Sequence, residues 1–308
     1  MNSPTKTTVD WFRYRTQSTP GEVVEAMRPM FGPHSDFISL GKHIRGLHGY
    51  RHGLPIMMAD VPVARMDFGG DSQRGWLRVE MPAKGCAFVD DWAGVDALEN
   101  LERSELSRAD IALTTWRGEV NHCQVVQAHN LGRFTTKGRP PDMRQILSSN
   151  PNAGQTVYIG NRASSKFLRC YEKGRELAVN HPGLTHAEGF PIEDIYRVEL
   201  ELKSTKAAEV PWDVIERRDQ YFAGAYPFCA DILPGVEADI LQRRPEKAPQ
   251  RDLAAALANV RQQYGATLFT ALHAHHGDIG AVWDLVCGDK HNEALLEAGV
   301  LLVDHETV

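Results

Sequence analysis

From Tyr196 to Lys203 the chain reads YRVELELK, in which Val198, Leu200 and Leu202 interleave with Arg197, Glu199, Glu201 and Lys203. Successive side chains of a strand point to opposite faces, so this segment belongs on a sheet with one apolar and one charged side. The same period runs through TTVDWFRYRT, through Leu77, Val79 and Met81, and through SRADIALTTW, where Ile111 and Leu113 oppose Arg108, Asp110, Ala112 and Thr114. Short strands with Gly and Pro turns between them dominate the first 205 residues. Helical spacing interrupts them in PGEVVEAMRPMF and in DDWAGVDALENLERSEL, where Trp92, Val95, Leu98 and Leu101 recur every three residues. TTKGRPPDMRQILSSNPNAGQ reads as a long exposed loop around a short helix.

Beyond Lys203 the pattern turns helical. In QRDLAAALANVRQQYG the apolar positions Leu253, Leu257, Val260 and Tyr264 share a face, with Gly265 as the predicted stop, and the polar QRRPEKAPQ before it reads as a linker. The expected fold is α+β: an antiparallel-sheet core over residues 1–205, then a helical C-terminal region over 206–308. No internal repeat is visible in the sequence.

With 42% hydrophobic and 24% charged residues the chain is ordinary globular material. Its longest apolar runs, such as GVLLV, fall far short of the roughly 20 residues of a membrane helix, and MNSPTKTTVDWFRYRT lacks the apolar stretch of a signal peptide. The five cysteines, without any CxxC pair, fit reduced thiols, so a cytoplasmic location and no membrane partner are expected. The net charge is -6, yet from His129 to Arg175 nine basic residues (Arg133, Lys137, Arg139, Arg144, Arg162, Lys166, Arg169, Lys173, Arg175) face two acidic ones (Asp142, Glu172), a local balance of 9 - 2 = +7. Such a segment suits a polyanion, DNA above all. Within it, Arg133, Lys137, Arg139, Arg162 and Lys166 are the candidate DNA-backbone contacts.

The same segment sets Arg169, Tyr171 and Lys173 at every second position, as though on one strand face. Glu199 and Glu201, roughly 7 Å apart along a strand, can both approach one divalent cation, and Asp110 is a third carboxylate in the same alternating format. Oxygen donors favour Mg²⁺ or Mn²⁺. A phenol is only about 0.1% ionised near neutrality, and a neighbouring cation increases that share. A tyrosine beside basic residues and a carboxylate-held metal is equipped to attack a phosphodiester and stay joined to the DNA through a phosphotyrosine bond.

The blocks TTVDWFRY, RMDFGGDSQRGWLRVEMPAKGC, SRADIAL, GQTVYIGNRASSKFLRCYEKGRE and YRVELELK make the sequence resemble the rolling-circle replication initiators of the Rep_trans type, found in plasmids of Gram-positive bacteria and as replication initiation factors of filamentous phages. The resemblance implies a DNA nicking-closing endonuclease that starts replication at an origin. Tyr171, in Arg-x-Tyr-x-Lys, would be the nucleophile, with Arg169 and Lys173 assisting at the phosphate and Asp110, Glu199 and Glu201 carrying the metal. It also implies a homodimer and a host helicase as partner. Plasmid members tend to place a second acid four residues after the first, where this chain has Thr114; Asp67, in RMDFGG, is either a substitute for it or a turn residue.

Other readings remain at the level of sequence, one of them a non-DNA phosphotransfer or scaffold protein in which the alternation is chance. The helical tail could serve a non-catalytic, sequence-specific DNA-binding protein as its reading head, although it is not notably basic. His273, His275 and His276 of LHAHHGD alternate like a metal strand, but their flanks are helical and solvent-facing histidines are the expectation. Trp11, Trp76, Trp92 and Trp283 are expected as core or half-buried anchors.

Overall fold

The computed structural model describes residues 6–150, 152–242 and 253–292. Its frame is an eleven-stranded sheet in which every ladder is antiparallel. The strands are β1 (Thr8–Thr16), β2 (Ile38–Leu40), β3 (Ile44–Arg45), β4 (His52–Met58), β5 (Val61–Phe68), β6 (Leu77–Met81), β7 (Glu105–Thr115), β8 (Met143–Ile146), β9 (Thr156–Ile159), β10 (Lys166–Tyr171) and β13 (Tyr196–Lys203). A separate two-stranded ladder joins β11 (His186–Ala187) to β12 (Phe190–Pro191). The main order is β2-β4-β5-β6-β1-β7-β13-β10-β9-β8, with β3 on the side of β4. This is the expected α+β architecture.

The apolar side of the alternating strands is the core. Phe12, Tyr14, Met66, Val79, Ile111, Leu168, Val198 and Leu200 bury together with Val23 and Met27 of the helix Pro20–Met27. The segment after Lys203 joins the same cluster through Val210, Trp212 and Phe222, and the Trp212 ring lies 5.5 Å from Tyr14 and 5.9 Å from Phe12. Accordingly the chain separates into two compact units, 1–244 and 245–308.

The sheet contains a repeat that the sequence hides. In the first half, β1 leads to a helix, a hairpin β4–β5, and a strand β6 that inserts between β5 and β1; in the second, β7, the helix His122–Asn130, β9–β10 and β13 repeat the order. Both helices open on a capping box, Thr19 with Glu22 and Asn121 with Gln124. The registers superpose residue by residue: Arg65, Met66 and Asp67 face Glu80, Val79 and Arg78, as Arg169, Cys170 and Tyr171 face Glu199, Val198 and Arg197. Likewise Phe12, Arg13 and Tyr14 face Met81, Glu80 and Val79, as Ile111, Ala112 and Leu113 face Leu200, Glu199 and Val198. With β1 and β7 paired antiparallel, the halves are related by an approximate twofold axis at the sheet centre. In letters the longest trace is Arg78-Val79-Glu80 against Arg197-Val198-Glu199, with isolated matches such as Arg65 to Arg169, because backbone pairing and facing are repeated and most side-chain identities are not.

Several local expectations are corrected. The helix read in DDWAGVDALENLERSEL is a 3₁₀ turn, Trp92–Val95, followed by one turn of helix, Asp96–Glu99. The amides of Asp90 and Asp91 both donate to the Met30 carbonyl, and a Cβ on Gly94 would sit 2.7 Å from the Met30 nitrogen, so the segment is held to that backbone instead of winding freely. The long loop of residues 135–155 contains the edge strand β8 and no helix among its described residues. The helix expected to stop at Gly265 runs on, Leu253–Ala274, since a helical glycine costs only about 1 kcal/mol against Ala. Residues 243–252, which hold nearly all of the expected linker, lie outside the described residues. Trp283, expected as an anchor, is exposed on the helix Ile279–Val286.

Candidate active site

Cross-strand partners point to the same side of a sheet, so the registers decide which charged residues meet. Glu201 faces Asp110; Glu199 lies between Ala112 of β7 and Arg169 of β10; Arg197 lies between Thr114 and Tyr171. The polar side of β7, β13 and β10 therefore gathers Arg108, Asp110, Arg197, Glu199, Glu201, Arg169 and Tyr171.

The carboxylates are buried, with Asp110 only 2% exposed. Arg108 grips Asp110 with two hydrogen bonds, 2.7 Å from Nε and 2.5 Å from Nη2, and also reaches Glu201 at 2.9 Å. Lys203 Nζ lies 2.8 Å from Glu201, and Arg169 Nη2 donates to Glu199 at 2.6 Å. Burial pushes the Asp110 carboxyl up to about 6, with Arg108 opposing and Glu199 and Glu201 adding to the rise. Glu199 is raised too, by burial first, against the pull of Arg169 and with a push from Asp10.

Tyr171 is 7% exposed, its ring 4.7 Å from the Arg169 guanidinium and 5.8 Å from Lys173 Nζ. Burial drives its phenol well above the usual range, while Arg197 and Arg169 pull it down. Lys173 is not on the strand face, as its spacing had predicted. The strand ends at Tyr171, and Lys173 opens the helix Lys173–Asn180, its Nζ 2.9 Å from Glu176. Gly174 permits the turn: its N–H donates to Ile195, and a Cβ there would lie 1.7 Å from the Ile192 carbonyl oxygen.

Asp10 and Arg197 belong to this centre and were missed as candidates. Arg197 donates to Thr114 Oγ1 and to Asp10 Oδ1, both at 2.9 Å. In an unbroken strand Asp10 would share the face of Phe12 and Tyr14, inside the core. A bulge between Val9 and Trp11 shifts the register and brings its carboxylate to the polar side. The acid absent at Thr114 is thus matched by one from β1. Asp67 is not a turn residue: it lies in β5, fully buried, bonded to Arg65 and to the Leu47 amide.

The candidate DNA contacts divide. Arg162 projects from the turn after β9, its guanidinium 5.1 Å from the Phe167 ring and 5.5 Å from Tyr158, beside a groove of about 550 Å³ that Arg144 also lines. Lys137 and Arg139 are exposed. Arg133 is engaged with Asp231, and Lys166 leaves the site altogether: it pairs with Leu202, points to the helical side, donates to the Ala225 carbonyl at 2.6 Å and lies 4.1 Å from the Tyr226 ring centre. His273, His275 and His276 are exposed in the second unit.

The donor set suits a hard divalent cation in kind: three buried carboxylates, two raised toward protonation, and no sulfur or imidazole. Arginines hold them in the present arrangement, and among the described residues no three such groups are placed to ligate one ion.

A large antiparallel sheet of this topology is the fold of a rolling circle replication initiator protein from Geobacillus stearothermophilus, a solved structure that this chain resembles with a TM-score of 0.53 at 20% identity, over 80% of this chain and 89% of that one. The chain belongs to the Rep_trans replication initiation factor family, whose model matches residues 104–268. No curated protein matches it. Its function is the initiation of replication, on DNA, and no described helix is long and apolar enough to cross a membrane.

Proposed function

We propose that this initiator nicks one strand of its origin with Tyr171 and remains joined to the 5′ end. The observation that carries this reading is the register that sets Tyr171 opposite Arg197, beside Arg169, and two strands from Asp110, whose partner is Glu201. The Tyr171 oxygen attacks phosphorus, the Tyr–O–P bond forms as the P–O3′ bond breaks, the phenolic proton passes to solvent and the departing 3′ oxygen takes a proton from solvent to become a hydroxyl. That 3′-OH primes synthesis, and its attack on the phosphotyrosine reverses the step and closes the strand. Arg169 and Lys173 orient the phosphate and stabilise its extra charge in the transition state. Arg197 favours the phenolate and is itself aligned by Asp10 and Thr114.

Asp110, Glu199 and Glu201 would hold an Mg²⁺ or Mn²⁺ ion once Arg108 and Arg169 turn aside. Such an ion supplies Lewis-acid polarisation of a phosphoryl oxygen. Arg162, Lys137 and Arg139 contact the DNA backbone, and dimerisation and a helicase partner accompany the same reading.

The test is incubation with supercoiled DNA carrying the protein's own gene and flanks, with Mn²⁺, with Mg²⁺ and with chelator, for the natural chain and Tyr171→Phe. Metal-dependent relaxation with a covalent adduct, both absent in the variant, is the expected result. Adduct formation by Tyr171→Phe would refute the assignment of the nucleophile. Binding to this DNA with no adduct in any condition would favour the non-catalytic reading.

A further inference from the structure

The twofold repeat gives the nicking centre a counterpart in the N-terminal half, and its residues are specific. Extending the paired registers by one position makes Trp11 the counterpart of Asp110 and Pro82 that of Glu201, while Arg65, Arg78 and Glu80 correspond to Arg169, Arg197 and Glu199, and Asp67 to Tyr171. The nucleophile and two of the three candidate metal acids are replaced. Both arginines and the glutamate remain.

At this counterpart the structure has a cavity of about 340 Å³, lined by Trp11, Pro82, Arg65, Arg78 and Glu80 with Leu47 of the covering loop. That is within the size range of sites for small organic groups, roughly 300–1,000 Å³. The Trp11 indole N–H is buried and meets no acceptor in the protein. Its ring lies 5.1 Å from the Arg108 guanidinium, which grips Asp110 and Glu201, so the cavity and the nicking centre share a wall. Asp67, fully buried between Arg65 and Arg78, closes the place that Tyr171 occupies in the other half.

The geometry points to a binding site for one unpaired base of single-stranded DNA, stacked on Trp11, with adjacent phosphates on Arg65 and Arg78. An indole face and an apolar proline wall form a stacking platform, and the two guanidiniums beside it, held in this structure by Asp67 and Glu80, turn to the phosphates when a strand binds, the combination that captures single strands. The distance fits: β1 lies three strands from β10, roughly 14 Å at the usual strand spacing, so a strand held at Tyr171 reaches the cavity within a few nucleotides. The N-terminal half is then a copy that has lost the chemistry and retained the grip.

This inference rests on the nickase reading for its purpose but is tested without cleavage. The full-length Tyr171→Phe chain, which forms no adduct under that reading, is titrated with a fluorescein-labelled oligothymidylate and compared with the Tyr171→Phe/Trp11→Leu double variant. Loss of one stacked base weakens binding by about tenfold or more. Because Trp11→Leu could also disturb folding, the unsubstituted protein is photocrosslinked to the same oligonucleotide bearing 5-iodouracil, and the modified peptide is mapped. Crosslinking at Trp11 supports the site. Unchanged affinity in the double variant, or crosslinks confined to Tyr158, Phe167 and their neighbours, overturns it, whatever the adduct assay gives for the natural chain.

Discussion

Asp110→Asn isolates the cost of holding an ionised carboxylate inside the polar face. Asp110 titrates at about 6 against an ordinary 3.8, because burial and the two glutamates outweigh Arg108. Its folded-state value lies above its unfolded one, so the folded chain binds the proton more tightly. Stability is therefore lost as pH rises from the unfolded value through the folded value, and the deficit persists above it. At about 1.4 kcal/mol per tenfold change in acidity, this costs about 3 kcal/mol at pH 8 and about 1 kcal/mol near pH 4.5, where most unfolded chains are ionised and the folded group is not. At 2% exposure, solvent screens little of this. Asparagine retains the shape and one acceptor for Arg108 but carries no charge. Denaturant unfolding of both chains at about pH 4.5 and about pH 8 should show the variant gaining about 2 kcal/mol on the natural chain between the two pH values. Saturating Mg²⁺ should stabilise the natural chain more than the variant. A stability difference that does not change with pH would mean that Arg108 fully compensates the buried charge, and the reasoning would fail.

Asp10→Asn removes the charge that aligns Arg197, and nicking should slow about tenfold, the effect of one charge-assisted hydrogen bond of at least about 1.4 kcal/mol; adding Thr114→Asp, which returns an acid to the same guanidinium, should restore the rate, and failure to do so would show that Asp10 acts otherwise. Because burial raises the Tyr171 phenol, the rate of adduct formation should keep climbing with pH through the alkaline range, and a plateau near neutrality would contradict this. Gly174→Ala forces a Cβ against the Ile192 carbonyl, so unfolding should show a loss of about 1–3 kcal/mol, whereas a neutral result would mean that the helix start moves freely. Neutralising Lys137 and Arg139 together should lower the slope of log affinity against log salt by about 2, and an unchanged slope would show that neither contacts phosphate.

Much of the frame was legible because strand alternation is a local property. Val198, Leu200 and Leu202 must be buried together whatever they pair with, and the charged residues between them must share the other face; the same holds for Asp110 against Ile111, and for Arg169 and Tyr171 against Cys170. Lys173 escaped this logic, since alternation does not say where a strand ends, and a close approach at Gly174 ends it at Tyr171. The sequence by itself thus determined an antiparallel sheet with a charged side carrying Asp110, Glu199, Glu201 and Tyr171. Only the tertiary structure decided which of these meet. Register depends on the partner strand, and the bulge at Asp10, the placing of Arg197 between Thr114 and Tyr171, and the twofold match of Trp11 to Asp110 exist only once strands distant in sequence lie side by side.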